Sequence, residues 1–283
     1  MPLKSAGILR YAAFTTDPSG GNPAGVVLDA TDVSASEMLA IAADVGFSET
    51  AFVVPLAEGQ LAVRYFSPLV EVPFCGHATI ALAVAHADRY GTGDLRLETK
   101  AGLVTVSTRQ EPAGDIKATL VSVPPRSMQI SDSDLAEMLA ALRWSAEDLD
   151  AELPPRAAYA GAWHPVVAAV SRGRLSRLDY DMPALADLMK RNDWATIDLV
   201  WRESEDIYYS RNPFPPGGVI EDPATGAAAA AFGGYLRELN LVRTPATITI
   251  YQGQDLGRPG RIMVTIPAEP DSGIAVTGSA VPM

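Results

Sequence analysis

Residues 76–87, GHATIALAVAHA, and residues 226–236, GAAAAAFGGYL, contain no Asp, Glu, Lys or Arg. A surface helix shows one apolar stripe, whereas a helix apolar all round is buried all round. Both runs therefore belong inside a wrapping of other elements, and the small residues of the second let neighbouring backbones come close. The segments around them alternate strand and helix. Each half is therefore expected to wrap sheet around a central helix.

Working outward, the two runs sit in similar surroundings. Phe66-Ser67-Pro68 leads through a short loop into Cys75-Gly76-His77-Ala78-Thr79, and Phe214-Pro215-Pro216 leads into Asp222-Pro223-Ala224-Thr225-Gly226. After each helix come a strand, a glycine (Gly102, Gly253) and another strand. The spacing predicts two pseudo-symmetric lobes, 1–123 and 124–283, divided at Pro124-Pro125, with the final strand free to pack back on the first lobe. In the first lobe, strands are expected at 7–14 and 25–28, joined by a turn over Asp17–Pro23. A helix over 34–45 is expected to be capped by Ser34 or Ser36 and stopped by Gly46. A hairpin pairs 49–54 with 61–66 across AEGQ, and strands follow the buried helix at 94–99, 103–108 and 115–122. In the second lobe, helices are expected at 132–143, 183–191 and 225–239. Strands are expected at 164–171, 195–201, 206–210, 246–251, 261–266 and 273–277.

Composition narrows the function classes. Twenty-two basic residues against 34 acidic give a net charge of −12. Such a surface repels phosphate backbones and anionic lipid, so neither nucleic acid nor a membrane is an expected partner. The single cysteine, Cys75, excludes an intrachain disulfide and any multi-cysteine zinc site. His77 and His86 fall on opposite sides of one helix, so no metal site is expected. Phosphate-loop, dinucleotide, H-E-x-x-H and G-x-S-x-G signatures are missing. Arg10 interrupts MPLKSAGILRYAAF where a signal peptide needs an unbroken apolar stretch, and no window is long enough to span a membrane. The expectation is a soluble cytoplasmic protein.

Three polar positions could carry chemistry. His77 opens the first buried helix, as a solvated ring or as an acid, base or ligand contact beside unpaired helix amides. Asp222 precedes Pro223, which is either ordinary capping with Pro at the first helical position or a functional carboxylate. Glu49, in GFSETAFVV, is a surface residue or a site acid. If the lobes are related and face each other, both helix N-termini point into one cleft. An apolar pocket there would raise a carboxyl pKa and suit proton removal and return next to a carbonyl, carboxylate or diene.

Gly21-Asn22-Pro23-Ala24, GFSETAFV (46–53), YFSPLVEVPFCGHAT (65–79), EDPATGAAA (221–229) and QGQDLGRPGRI (252–262) together resemble the phenazine-biosynthesis PhzF-like isomerase family. The resemblance implies the diaminopimelate-epimerase fold, an α+β fold of two pseudo-symmetric lobes, each a mixed sheet or barrel wrapped around a central apolar helix, with the active site between them. It also implies an enzyme with no cofactor, commonly a homodimer, acting on a small carboxylate-bearing metabolite. By the same resemblance Glu49 is the general acid/base, while His77 and Asp222 orient substrate and assist proton transfer. Ser48, Gly76, Thr225 and Gly226 bind substrate, the two glycines through amides to its carboxylate. Ala227 departs from the serine that often follows T-G in the family motif, which removes a hydroxyl contact. Two alternatives stand beside this reading. One is an epimerase or racemase using Cys75 as its single thiol, the residue otherwise being a small buried apolar side chain. The other is a non-catalytic metabolite-binding protein of the same fold.

Overall fold

Every side chain from His77 to Ala85 is buried, and so is Ala87. The computed structural model describes residues 7–56 and 60–283 and divides between Val121 and Ser122. One unit holds the described residues up to Val121 with Thr277–Met283, and the other holds Ser122–Val276. Residues 1–6 and the Ala57–Gly59 part of the AEGQ turn lie outside the described residues.

The first unit contains strands β1 (Leu9–Ala13), β2 (Asn22–Val27), β3 (Glu49–Pro55), β4 (Gln60–Phe66), β5 (Glu71–Val72), β6 (Asp94–Thr99), β7 (Gly102–Gln110) and β8 (Ile116–Val121). Its helices are α1 (Ala35–Val45) and α2 (Gly76–Tyr90). β1 is antiparallel to β2, β2 parallel to β3, β3 antiparallel to β4, and β4 parallel to β6; β6, β7 and β8 then pair antiparallel. The chain's last strand, Ala275–Pro282, pairs with both β1 and β8 and closes these seven strands into a barrel. α2 packs against β1, β2, β3, β7 and β8, so the helix without a charged face fills the barrel.

The second unit contains β9 (Arg126–Gln129), β10 (Arg156–Tyr159), β11 (Trp163–Ala168), β12 (Asp198–Arg202), β13 (Ile207–Phe214), β14 (Val219–Asp222), β15 (Ala246–Gln252) and β16 (Gly260–Ile266). Its helices are α3 (Asp132–Leu142), α4 (Arg172–Leu175), α5 (Met182–Arg191) and α6 (Gly226–Glu238). The order β10–β11–β12–β13–β15–β16 repeats the pairing directions of β1–β2–β3–β4–β6–β7 step for step. α6 lies against β9, β10, β11 and β16. Its glycines are there for proximity: a Cβ on Gly234 would lie 2.3 Å from the Pro125 ring, and one on Gly233 would lie 2.9 Å from Val264 and Ile274.

Local chemistry explains most boundaries. Ser34 rather than Ser36 caps α1, accepting from the Glu37 amide while Glu37 reaches back to the Ser34 amide. Gly46, at φ 72°, ends it in the left-handed region where glycine is unstrained. α1 buries Met38 and Ala42 against Val27, Phe52 and Phe66. Some expectations need correction. Asn22 and Pro23 are not turn but strand, paired with Ala13 and Ala12. α6 begins at Gly226 rather than Thr225, and the last strand runs to Pro282 rather than 277. The short strands β5, β9, β10 and β14 and the one-turn helix α4 carry too few residues for a periodic signal.

A buried polar chain runs through the second unit. His164 on β11 meets the Thr196 hydroxyl at 2.8 Å, Thr196 donates to Asn212 Oδ1 at 2.6 Å, and Asn212 Nδ2 donates to Asp198 Oδ1 at 3.1 Å. Because Thr196 gives its only proton to Asn212, His164 must hold its own on Nδ1. Burial pushes the Asp198 carboxyl up to about 7, against the lowering effect of the Asn212 bond. Burial also brings His164 down to about 4. A carboxyl raised in the folded state contributes stability that is complete below its unfolded value, about 3.9, and is lost as pH rises through the folded value. The lowered histidine gives the opposite slope over nearly the same window. The contributions of Asp198 and His164 therefore largely offset each other between about pH 4 and 7. The Tm of Asp198→Asn relative to wild type should climb across that window and level off above pH 7. Parallel Tm curves for the two proteins would show that Asp198 is ionised in the fold throughout.

Candidate active site

Strand register assembles the first cluster. β2 and β3 run parallel with Ala24 opposite Glu49 and Gly25 opposite Thr50, so the Asn22–Gly25 segment lies beside the start of β3. A Cβ on Gly25 would sit 2.5 Å from the Thr50 hydroxyl, which is why glycine stands there. Following the Gly46 stop, Ser48 and Glu49 enter β3 next to the N-terminus of α2. Cys75 occupies the cap position of α2 in extended backbone, and its side chain makes no capping bond.

Four side chains meet here. The Cys75 thiol donates to Glu49 Oε2 at 3.5 Å and lies 3.4 Å from His77 Nδ1. His77 Nε2 is 3.4 Å from Glu49 Oε2 and 3.3 Å from the Ser48 hydroxyl. The imidazole is 6% exposed and the Glu49 side chain 15%, so neither is the solvated surface group it could have been. Burial raises the Glu49 carboxyl above its ordinary range, while hydrogen bonds from Ser48 and Cys75 to the charged form pull it part of the way back. Gly76 is the first residue of α2, where backbone amides have no helical acceptor. Cys75 is buried, but as a member of this polar cluster rather than as a purely apolar side chain.

The second unit holds the other expected residues. Asp222 ends β14, opposite Asn212 in register. It lies ahead of the helix rather than capping it: α6 has Thr225 at its cap position, and the Thr225 hydroxyl donates to Asp222 Oδ2 at 2.6 Å. Gln252 completes this group, with Nε2 donating to the Asp222 carbonyl at 2.7 Å and to the Thr225 hydroxyl at 3.0 Å, while its Oε1 accepts the Thr225 amide at 2.9 Å. Its neighbour Gly253, at φ 87°, has no room for a Cβ, which would meet the Arg258 and Pro223 carbonyl oxygens at 2.2 and 2.8 Å. β14 is held in turn by the buried ion pair of Arg211 and Glu221. Gly226 begins α6 and Ala227 follows half-buried.

Sequence reasoning did not single out Gln252 or the contacts of Cys75. The one available signal was the QGQDLGRPGRI motif, which carries no titratable group at that glutamine. Glu49, Cys75 and His77 are also the group, among the described residues, whose ligand atoms lie close enough together to hold a metal ion.

Comparison with known proteins gives the family of the chain. A profile of the phenazine biosynthesis-like protein family matches residues 11–283. The chain belongs to that family. A relative from Deinococcus radiodurans named an uncharacterized isomerase is 35% identical over 271 residues, covering 93% of this chain and 88% of the relative. The trans-2,3-dihydro-3-hydroxyanthranilate isomerase of Pseudomonas chlororaphis is 32% identical over 274 residues, covering 95% and 94%. The crystal structure of a Bacillus anthracis phenazine biosynthesis protein of the PhzF family matches with a TM-score of 0.87 at 29% identity, covering 98% of this chain and 96% of that one. The protein is thus a PhzF-family enzyme of the isomerase class with the α+β fold of its relatives. No helix among its described residues is long and apolar enough to cross a membrane.

In this PhzF-family protein, kept metal-free with a chelator, the Glu49 carboxyl carbon should titrate by NMR above the ordinary glutamate value of about 4.3. Cys75→Ala removes a donor to the carboxylate and should move the midpoint higher still. A wild-type midpoint at or below the ordinary value would mean that the bonds from Ser48 and Cys75 outweigh burial.

Proposed function

We propose that the protein moves a proton on a small carboxylate-bearing metabolite, with Glu49 as general acid/base. The observation that carries this reading is a desolvated carboxyl within 3.5 Å of both an imidazole and a thiol. As carboxylate, Glu49 takes a proton from a carbon adjacent to a conjugated system, and the electron pair left behind shifts along that system. The proton then returns from Glu49 to a different carbon, so the product is an isomer and no co-reactant is consumed. A raised pKa suits both halves of the cycle, because it makes the carboxylate a better base and keeps the acid form accessible nearer neutrality.

His77 is proposed to orient substrate and steady the charge on Glu49, and Asp222, which accepts from the Thr225 hydroxyl, is proposed on the family resemblance to orient substrate and assist proton transfer. Ser48 and Thr225 offer hydroxyls, and the amides of Gly76 and Gly226 suit a carboxylate, since helix N-termini favour anions. The relative from Pseudomonas chlororaphis is named for a ring carboxylate, which supports a cyclic carboxylate as the substrate class. Ala227 argues for a substrate differing where a family serine would donate. Absence of a cofactor, a homodimer and a cytoplasmic location complete the proposal on family resemblance. A second enzyme reading, an epimerase using Cys75, draws on the 3.4 Å contact of its sulfur with His77.

Incubation in deuterium oxide with trans-2,3-dihydro-3-hydroxyanthranilate, and with amino-acid carboxylates, separates the readings. Isomerisation is expected, with deuterium at the new C–H position in those turnovers in which the Glu49 carboxyl exchanges with solvent before returning its proton, whereas exchange without net conversion would favour the epimerase. Glu49→Gln should lose roughly 10²- to 10⁴-fold in rate while remaining folded, and near-normal turnover would remove Glu49 from the mechanism. Cys75→Ala should keep most of the activity; a loss of about 10³-fold with Glu49→Gln nearly unaffected would make the thiol the base. Asp222→Asn still accepts from Thr225, so its Tm should stay near wild type while its activity falls sharply. Equal losses of Tm and activity would assign Asp222 a purely structural role.

A further inference from the structure

We infer that Glu49 Oε2, Cys75 Sγ and His77 Nε2 form a binding site for a thiophilic divalent cation of the zinc type, whose occupation blocks the proton-transfer site. The three atoms lie 3.4 Å (nitrogen to oxygen), 3.5 Å (sulfur to oxygen) and 3.9 Å (sulfur to nitrogen) apart. Zinc bonds of about 2.3 Å to sulfur and about 2.0–2.2 Å to nitrogen and oxygen set tetrahedral ligand atoms roughly 3.3–3.6 Å apart. Closing Cys75 Sγ from 3.9 Å to tetrahedral spacing with His77 Nε2 takes a few tenths of an ångström, but the sulfur also lies 3.4 Å from His77 Nδ1. A tetrahedral metal on Nε2 sets that sulfur roughly 5 Å from Nδ1, so the Cys75 and His77 side chains must also rotate about their own bonds. No backbone rearrangement is required, because Glu49 starts β3 while Cys75 and His77 flank Gly76 at the head of α2.

The donor set selects the metal. One thiolate, one imidazole and one carboxylate suit zinc or cobalt, whereas magnesium and calcium take six or more oxygens or retain several waters. Three protein ligands leave the fourth tetrahedral position to water or to a ligand carboxylate. The Ser48 hydroxyl, 3.3 Å from the same imidazole nitrogen, is placed to bond that fourth ligand. Binding is a simple exchange with no redox change: the Cys75 thiol releases its proton to solvent, any proton on Glu49 or on His77 Nε2 follows (the neutral imidazole keeping one on Nδ1), and three metal–ligand bonds replace the Cys75–Glu49 and His77–Glu49 contacts. Glu49 can then no longer carry a proton, so the cation acts as an inhibitor.

The inhibitory part rests on the function proposed above, but the site itself does not, so the experiment reads binding and turnover separately. Untagged protein is titrated with Co²⁺ and followed by absorption. One cobalt per chain is expected, with a thiolate-to-cobalt charge-transfer band in the near ultraviolet and the visible bands of a tetrahedral site, both erased by an equivalent of Zn²⁺. Cys75→Ala should abolish the near-ultraviolet band, and His77→Gln should weaken cobalt binding at least tenfold. Thermal melts identify any variant that fails to fold, and Cys75→Ser then replaces Cys75→Ala. A wild-type titration without a one-to-one band, or a band that survives in folded Cys75→Ala, overturns the site. In the deuterium-exchange assay Zn²⁺ should inhibit and a chelator should restore activity. Cobalt bound at Cys75 with turnover unchanged by Zn²⁺ overturns the inhibitory role and leaves the site standing. Cobalt binding in a protein that exchanges no proton on any substrate counts against the proposed function and not against the site.

Discussion

The structure depends on burying a helix that has no polar face. α2 exposes so little of its surface that β1, β2, β3, β7 and β8 must all lie against it. An open sheet could not cover such a cylinder without leaving edge strands that invite further pairing. Closure by the last strand of the chain removes those edges and completes the wrapping. α2 reaches solvent at its C-terminal end, residues 88–90, whereas Cys75 and His77 at its head are buried. The burial demanded by the apolar helix therefore extends to the polar side chains at its head.

At that head, burial changes the chemistry of ordinary residues. A glutamate, an imidazole and a thiol in water are each solvated separately, but here each finds the others within 3.5 Å and has little solvent left to bond. Desolvation penalises the charged carboxylate, and the donors around it offset part of that cost. These opposing effects make the Glu49 carboxyl suited to receiving and returning a proton. The same close set of sulfur, nitrogen and oxygen atoms underlies both proposals, the proton carrier and the cation site.

The second unit repeats the strand order around a helix of smaller residues, and its polar group is organised differently. Asp222, Thr225 and Gln252 satisfy one another through direct hydrogen bonds, with Gln252 bonded to both backbone and side chain of the segment that leads into α6. In the stretch corresponding to the Cys75 region, Asp222-Pro223-Ala224 carries neither cysteine nor histidine. The architecture is shared, and the side chains at the helix heads set the two units apart.

Several features were legible in the sequence because their causes are local. Charge-free runs identified α2 and α6 as buried, Ser34 and Gly46 bounded α1, and period-two patterns located the longer strands. The family motifs then picked out Glu49, His77 and Asp222 as site candidates. The tertiary structure alone decided the closure of the barrel by Ala275–Pro282, the support of Asp222 by Gln252, and the buried chain from His164 to Asp198. It also decided that Glu49 meets a thiol 26 positions further along the chain. The physical reason is range. Capping, periodicity and hydrophobicity act over a few residues and are written in the residues themselves. Contact between distant side chains, and the burial that shifts their ionisation, follows from strand register and from which helix fills the barrel.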